Sequence, residues 1–301
     1  MSRNDSKFLK FRRKHHDAIL ALLLLIVPLG WWLVTSAYPL VWGLSMGFMD
    51  WSGGDPVWAG LDNFKTFFSS EYYYMSLVNS VLIGGLCFVI QLVLSLLVAL
   101  LLNKISFLKG FYRAVWYVPV VCSSVVVTQI FNIFLDPADG VLNNILINMG
   151  KKPVIWNRSV GWGVFWITFY SVWKGMGGSV LMWLAALQSV DRSMCEAAEI
   201  DGANKWTSFW KIVFPSMMPI ITYMLITGFV GAIQIYEPVM FITGGGPYNK
   251  TNVLAYMIMR DTFWDNNYGM AGTSSLLMLV ITFGFTFVIF RHQMKQSKED
   301  R

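Results

Sequence analysis

The chain has 301 residues, of which 55% are hydrophobic and only 13% charged, against about 25% charged in soluble domains. So little polar surface cannot cover a water-soluble globule of this length, and that class is excluded. The net charge of +6 is gathered at the ends of apolar blocks, which suits anionic lipid headgroups and gives no support to a nucleic-acid partner.

Residues 1–17 form a polar, basic leader with Arg3, Lys7, Lys10, Arg12, Arg13 and Lys14. The apolar block that follows, 18–38, outruns the roughly 7–15-residue core of a cleavable signal. It is predicted to remain as a first span, with an outer loop running to residue 73. Further blocks cover 78–102, 114–135, 160–187, 220–243 and 270–290. Each is long enough to cross a bilayer as a helix, which takes roughly 20 residues. None alternates as barrel strands do, and an isolated span must satisfy its own backbone polar groups. The predicted fold is an all-α polytopic membrane protein with about six transmembrane helices.

Lysine and arginine set the orientation. Besides the leader, Lys104, Lys109 and Arg113 follow the second block, Arg192, Lys205 and Lys211 follow the fourth, and Arg291, Lys295, Lys298 and Arg301 close the chain. The opposite connections hold fewer: Lys65, then Lys151, Lys152 and Arg158, then Lys250 and Arg260. Both termini are therefore predicted to be cytoplasmic, with 291–301 a cytoplasmic tail. Trp51, Trp58, Trp156 and Trp162 read as interfacial anchors near the outer ends of spans. Cys87 and Cys122 fall within spans and Cys195 in a loop, which gives no disulfide framework.

Several chemistries lack their residues. The chain contains no G-x-x-x-x-G-K-[ST] run and no H-E-x-x-H, and its histidines, His15, His16 and His292, flank the membrane core. A nucleotide site of its own and an intramembrane imidazole metal site are both unsupported. Transport or signalling becomes the expected role.

The most informative stretch is 188–219. Asp191 or Ser193 can cap a first short helix, and Ser193-x-x-Glu196 has capping-box spacing. Gly202 supplies the freedom to turn. Trp206, Phe209, Trp210 and Val213 then repeat at helical spacing as one apolar stripe. By periodicity alone this is an interfacial helix lying on the bilayer.

The identities say more. Glu196-Ala197-Ala198-x-x-Asp201-Gly202-Ala203, followed by Phe209-x-x-Ile212-x-x-Pro215-x-x-x-Pro219, closely resembles the EAA loop of permease subunits in binding-protein-dependent ABC importers. Thr243-Gly244-Gly245-Gly246-Pro247 is similar to the T-x-G-G-P segment of the first permease of maltose-type carbohydrate importers. The family usually has a proline five residues before the motif glutamate. Asp191 stands there in this chain, one helix initiator in place of another.

The resemblance implies a type I importer permease core over 74–290, importing a carbohydrate across the cell membrane by alternating access. It implies a second homologous permease, a dimer of ATP-binding cassette ATPases that holds the ATP and magnesium, and an extracellular solute-binding protein. This chain would then have no cofactor of its own and would not be an enzyme. In the docking loop Glu196 and Asp201 would be polar anchors, Ala197 and Ala198 would allow close approach, Gly202 would set the bend and Phe209 would pack in the joint, with Ala203 completing the docking set. The outer loops 49–77, 136–159 and 244–269 would face the binding protein. A self-sufficient secondary transporter and a membrane scaffold are the competing readings; the first needs an ion relay that so few membrane charges do not suggest.

Two ionisable residues lie well inside the blocks, Lys174 and Glu237, and charges at that depth face protein or water. Ser171, Lys174 and Gly175 are expected to share one helical face, as are Gln234 and Glu237. With Tyr236 they form a candidate solute path, offering polar groups and a ring to a sugar. The alternative is that Lys174 and Glu237 neutralise each other. Gly175, Gly177 and Gly178 are expected either to loosen their span or to allow close packing.

Overall fold

The computed structural model describes residue 18 and residues 20–51, 54–105, 107–156 and 159–299, with side chains as far as 295. The basic leader 1–17, Arg158, Arg301 and the side chain of Lys298 lie outside the described residues.

Helix α1, Leu20–Phe48, is apolar along its whole length and none of its apolar window is buried. It contains a π turn over Leu33–Ala37, just ahead of Pro39, whose missing N–H and ring displace the regular hydrogen-bond ladder. A short hairpin follows, with Met49–Asp50 (β1) antiparallel to Val57–Trp58 (β2). Helix α2, Asp62–Ser69, is pinned beneath it because the Asn63 amide donates to the carbonyls of Gly47 and Met49 at 3.1 and 2.9 Å.

Helix α3, Glu71–Lys104, runs 34 residues and packs along α7, Val160–Gln188. Between them in sequence lie α4, Lys109–Val121, α5, Ser124–Leu135, and the short α6, Val141–Asn148. After α7 come α8, Arg192–Ile200, α9, Lys205–Ser216, and α10, Met218–Ile233. A π turn at Val239–Thr243, α11, Leu254–Phe263, and α12, Tyr268–Glu299, complete the chain.

Among the described residues, α1, α3 and α12 are each long and apolar enough to cross a membrane, and five segments are if α4–α5 and α9–α10 each count as one bent span. Helix α7, predicted as a span, is 29 residues long yet falls short on hydropathy. Lys174 and its glycines, serines, tryptophans and tyrosine dilute it. Its position explains the composition. It is flanked by α3, α4 and α10, while Trp162, Phe165, Phe169 and Trp173 form an exposed aromatic stripe; a helix covered by protein on its other faces does not have to be greasy all round.

Two predicted spans are not single helices. Block 114–135 is broken at Cys122 and Ser123, where α4 and α5 meet at 91°; Pro119 removes one backbone donor ahead of the break. Block 220–243 ends as an α-helix at Ile233 and resumes only as the π turn, with Pro238 in between.

Of the three glycines expected to loosen α7 or pack closely, Gly175 and Gly177 act through packing and Gly178 has nothing within 4 Å of an added Cβ; none loosens the helix, which is continuous. A Cβ on Gly177 would lie 2.2 Å from the Trp116 carbonyl oxygen, so this position sets how closely α4 approaches. The expected result for Gly177→Ala is a loss of about 1–3 kcal/mol, the usual cost of overpacking a tight core. Thermal unfolding of the purified variant in detergent checks it; an unchanged midpoint would mean that α4 is free to move aside.

The largest core cluster joins α3, α7 and α10 through Ala99, Val180, Trp183, Leu184, Met217 and Ile221, and the Trp183 indole donates to Ser95 Oγ at 3.1 Å. At the opposite end Phe67, Leu254 and Met270 form a second core. Trp156, expected as an interfacial anchor, is only 7% exposed and meets Trp162 and Trp166 edge-on at 4.9 and 6.0 Å. Burial against aromatic neighbours took precedence over the interface there.

Candidate functional site

Two features stand out, an exposed elbow at one end and a cavity between the long helices. In the elbow, the Asp191 carboxylate accepts from the Ser193 N–H at 2.9 Å, so Asp191 and not Ser193 is the cap of α8. That bond to the backbone N–H holds the carboxyl below its ordinary range.

Helix α8 ends in a Schellman pattern. The Ala203 N–H donates to Ala198 O at 2.9 Å and the Gly202 N–H to Glu199 O at 3.1 Å. Gly202 has φ +82° and nothing within 4 Å of an added Cβ. Backbone conformation, not space, selects glycine there. Asn204 then caps α9, its Oδ1 accepting from the Thr207 N–H at 2.8 Å.

Glu196, Ala197, Asp201 and Gly202 are exposed, and Ala203 and Phe209 are half-buried. Ala198 is buried against its own chain, so of the alanine pair only Ala197 is open to close approach. Phe209 packs with Val213 and Phe214 on the largest core cluster. The predicted single stripe is therefore split. The π turn Phe209–Val213 swings Phe209 and Val213 inward, while Trp206 and Trp210 stay exposed. Sequence reasoning missed Met194 and Ile200, apolar side chains exposed at 50% and 86%. The signal was present: Ile200 sits beside Asp201 in a short polar helix, where an isoleucine serves no internal core.

The cavity measures about 310 Å³ and is lined by residues of α3, α7 and α10 and the segment after it, including Gln91, Tyr170, Ser171, Lys174, Gly175 and Glu237. A second cavity of about 460 Å³ shares Gln91, Gly175, Thr227 and Gly228 with it. Gln91 was not singled out from sequence, although an amide in the middle of a long apolar block is a visible signal. Its Nε2 donates to Ser179 Oγ at 2.8 Å and to Gly175 O at 3.3 Å.

Ser171, Lys174, Gly175 and Glu237 thus come together as expected. Gln234 and Tyr236 do not line the cavity. Helix α10 ends at Ile233, so Gln234 and Glu237 do not share a helical face; Gln234 is exposed and Tyr236 packs on the Ile83–Ile167 cluster. Nor do Lys174 and Glu237 pair: among the described residues no ion pair joins them. The Lys174 ammonium instead donates to the Cys122 and Pro119 carbonyls at 2.8 and 3.3 Å. It caps the broken end of α4, where unpaired carbonyls and the helix dipole favour a cation.

The Thr243–Pro247 loop is closed by its own contacts. Gly244 and Gly245 have φ +58° and +80° and the Gly246–Pro247 peptide is cis. Thr251 Oγ1 donates to Gly246 O at 2.7 Å, and the Asn79 amide ties the loop to α3 through Lys250 O at 3.1 Å.

Near it, at the end opposite the elbow, the fully buried Asp261 accepts from Tyr73 OH at 3.3 Å. Arg260 pairs with Asp265 at 3.0 Å and also donates to Tyr72 OH. Burial pushes the Asp261 carboxyl up to about 7. Its ordinary value is near 3.9, so stability is fully present below that value and lost as the pH rises through about 7. We expect the unfolding midpoint of the wild-type chain to fall by a few degrees between roughly pH 5 and pH 8, and that of Asp261→Asn to stay flat over the same range. Identical profiles would refute the assignment.

Among the described residues no group of three or more His, Cys, Asp or Glu side chains is arranged to hold a metal ion. A polar cavity between long helices and an exposed elbow at their ends suit a transport permease. The family of binding-protein-dependent transport system inner membrane components matches residues 91–296, and the chain belongs to that family. It is a multi-pass inner-membrane subunit of an ABC transporter and not an enzyme; in such transporters ATP is hydrolysed by separate chains.

The chain is similar to the sn-glycerol-3-phosphate transport system permease protein UgpA of Yersinia pestis bv. Antiqua (strain Antiqua), with 29% identity over 262 residues, 81% of this chain and 88% of the relative. It is 30% identical over 240 residues to UgpA of Agrobacterium fabrum (strain C58 / ATCC 33970), covering 79% of this chain and 81% of that protein. In fold it resembles a bacterial ABC transporter involved in the import of the acidic polysaccharide alginate, with TM-score 0.83 and 22% identity over 95% of this chain and 99% of that one. The alginate transporter in complex with a pentasaccharide-bound periplasmic protein matches with TM-score 0.79 and 24% identity, covering 93% and 95% of the two chains.

Proposed function

We propose that this chain is one of two homologous permeases of a carbohydrate importer, with six spans and both termini in the cytoplasm. The elbow at Gly202 then docks on an ATP-binding cassette ATPase dimer that carries the ATP and magnesium. An extracellular solute-binding protein delivers the sugar to the opposite end, and the cavity around Gln91, Ser171, Lys174 and Glu237 forms part of its path. The observation that carries the reading is the elbow: a helix whose cap, Schellman turn and exposed Glu196, Ile200 and Asp201 present a rigid face that the chain itself does not cover.

Hydroxyl-rich solutes need donors and acceptors on smooth walls. The cavity offers the amide of Gln91, the hydroxyl of Ser171, one cation and one carboxylate, with Gly228, Gly231 and Ala232 between them; the Tyr170 hydroxyl is already bonded to Ser124 O. The relatives named above handle a phosphorylated polyol and an acidic polysaccharide, so sugars bearing acid groups belong in the first screen. ATP binding works as a population shift, the ATPase holding one permease conformation more tightly than the other.

The test is reconstitution of the chain with the companion permease, ATPase and binding protein in proteoliposomes. Labelled oligosaccharide is expected to enter only with ATP and all components. Glu196→Ala is expected to retain ATP hydrolysis while lowering uptake at least about tenfold, a loss of roughly 1.4 kcal/mol of coupling. Uptake by this chain alone under an ion gradient would overturn the reading.

A further inference from the structure

Helices α3 and α7 end at Lys104 and Gln188, and the elbow folds back beside those ends, leaving a cavity of about 730 Å³. Lys104, Arg192 and Lys205 line it against a single carboxylate, Glu199, with the amides of Asn103 and Asn204 nearby. Among the described residues none of the three cations enters an ion pair. Apart from Gln188 and Ser208 the rest of the wall is apolar, with Leu100, Leu187, Val190, Phe209 and Val213 prominent. A small soluble anion would leave that apolar wall in water, whereas an amphiphile satisfies both halves.

Depth points the same way. The cavity lies where the long apolar helices stop, and α9, which forms one side of it, turns Trp206 and Trp210 outward at 71% and 45% exposure, their rings edge-on at 5.6 Å. Exposed tryptophans beside basic residues at span ends belong to the headgroup layer. We propose that this cavity is a binding site for the phosphate headgroup of an anionic phospholipid of the inner leaflet. The phosphodiester sits among Lys104, Arg192 and Lys205, and the glycerol and upper acyl chain run over the apolar wall. Basic pockets between span ends on the cytoplasmic side suit such headgroups.

This site rests on the cytoplasmic orientation of the elbow, which labelling of Met194→Cys, at an exposed position outside the cavity, by a membrane-impermeant thiol reagent in sealed vesicles, with Cys122 and Cys195 replaced by serine, decides separately. The test of the site needs no ATPase. The delipidated full chain is titrated with dioleoyl-phosphatidylglycerol or dioleoyl-phosphatidylcholine and retained lipid is read by native mass spectrometry. Phosphatidylglycerol is expected to be retained selectively, and the variant Lys104→Gln, Arg192→Gln, Lys205→Gln to bind it on the order of a hundredfold more weakly. Glu199→Gln, which removes the opposing charge, is expected to tighten retention and decides the matter if the triple variant does not fold. Equal retention of both lipids, or no change in either variant, overturns the proposal. Displacement of phosphatidylglycerol by millimolar inorganic phosphate would identify a soluble-anion site and overturns the lipid assignment.

Discussion

Substitutions at Gly202 are expected to lower uptake in the order Asn, Ala, Pro. The residue holds φ +82° with open space around it, so the cost is one of backbone alone. Asparagine visits left-handed conformations readily, and Gly202→Asn should transport within a few-fold of wild type. Alanine carries about 1–2 kcal/mol of strain in that region, enough for roughly a tenfold loss. Proline cannot reach a positive φ and also removes the N–H that donates to Glu199 O, a cost of about 3 kcal/mol or more and on the order of a hundredfold in uptake. ATP hydrolysis by the assembled complex should continue in all three, since nothing in the elbow touches the nucleotide in this reading. Measuring uptake and hydrolysis side by side at matched membrane levels checks the order; equal uptake by the alanine and proline variants would remove the elbow from the coupling path.

Replacing Lys174 by methionine is expected to reduce uptake at least about tenfold. The ammonium makes two hydrogen bonds to the carbonyls of Pro119 and Cys122, and bonds to charged groups contribute about 1.5–3 kcal/mol each. Methionine fills similar space but leaves those carbonyls unpaired beside the cavity, so the 91° break between α4 and α5 loses its staple. Arginine keeps the charge and the donors, and Lys174→Arg is expected to retain most of the activity. The two roles open to Lys174 separate kinetically. A lower maximal rate with unchanged KM identifies the staple, and a raised KM alone identifies direct contact with solute. Wild-type kinetics in the methionine variant would exclude both.

Much of the site was visible in the sequence because its physics is local. A positive-φ turn after a capped helix favours glycine, and Gly202 stands where such a turn puts it, with Asp191 as one of the two caps the sequence offered; the Asn204 cap of α9 came only from the structure. The gathering of Ser171, Lys174 and Gly175 on one face followed from the helical period of α7, which is unbroken. Where the period failed, so did the expectation. Gln234 and Glu237 are three residues apart, but the chain leaves the helix after Ile233. Pro238 was a visible sign of interruption, although it did not say which side of the break each residue would occupy.

Length and hydropathy by themselves determined that this chain is a helical membrane protein, and the order of residues around Gly202 determined the elbow, because a bilayer and a tight turn each impose their demands on neighbouring residues. The tertiary structure alone decided that Lys174 caps α4 instead of pairing with Glu237, that Gln91 borders the cavity, and that α7 is flanked by three other helices although its hydropathy is modest. Those outcomes depend on which carbonyls and side chains distant parts of the chain bring within about 3 Å, and no periodicity along one segment carries that information.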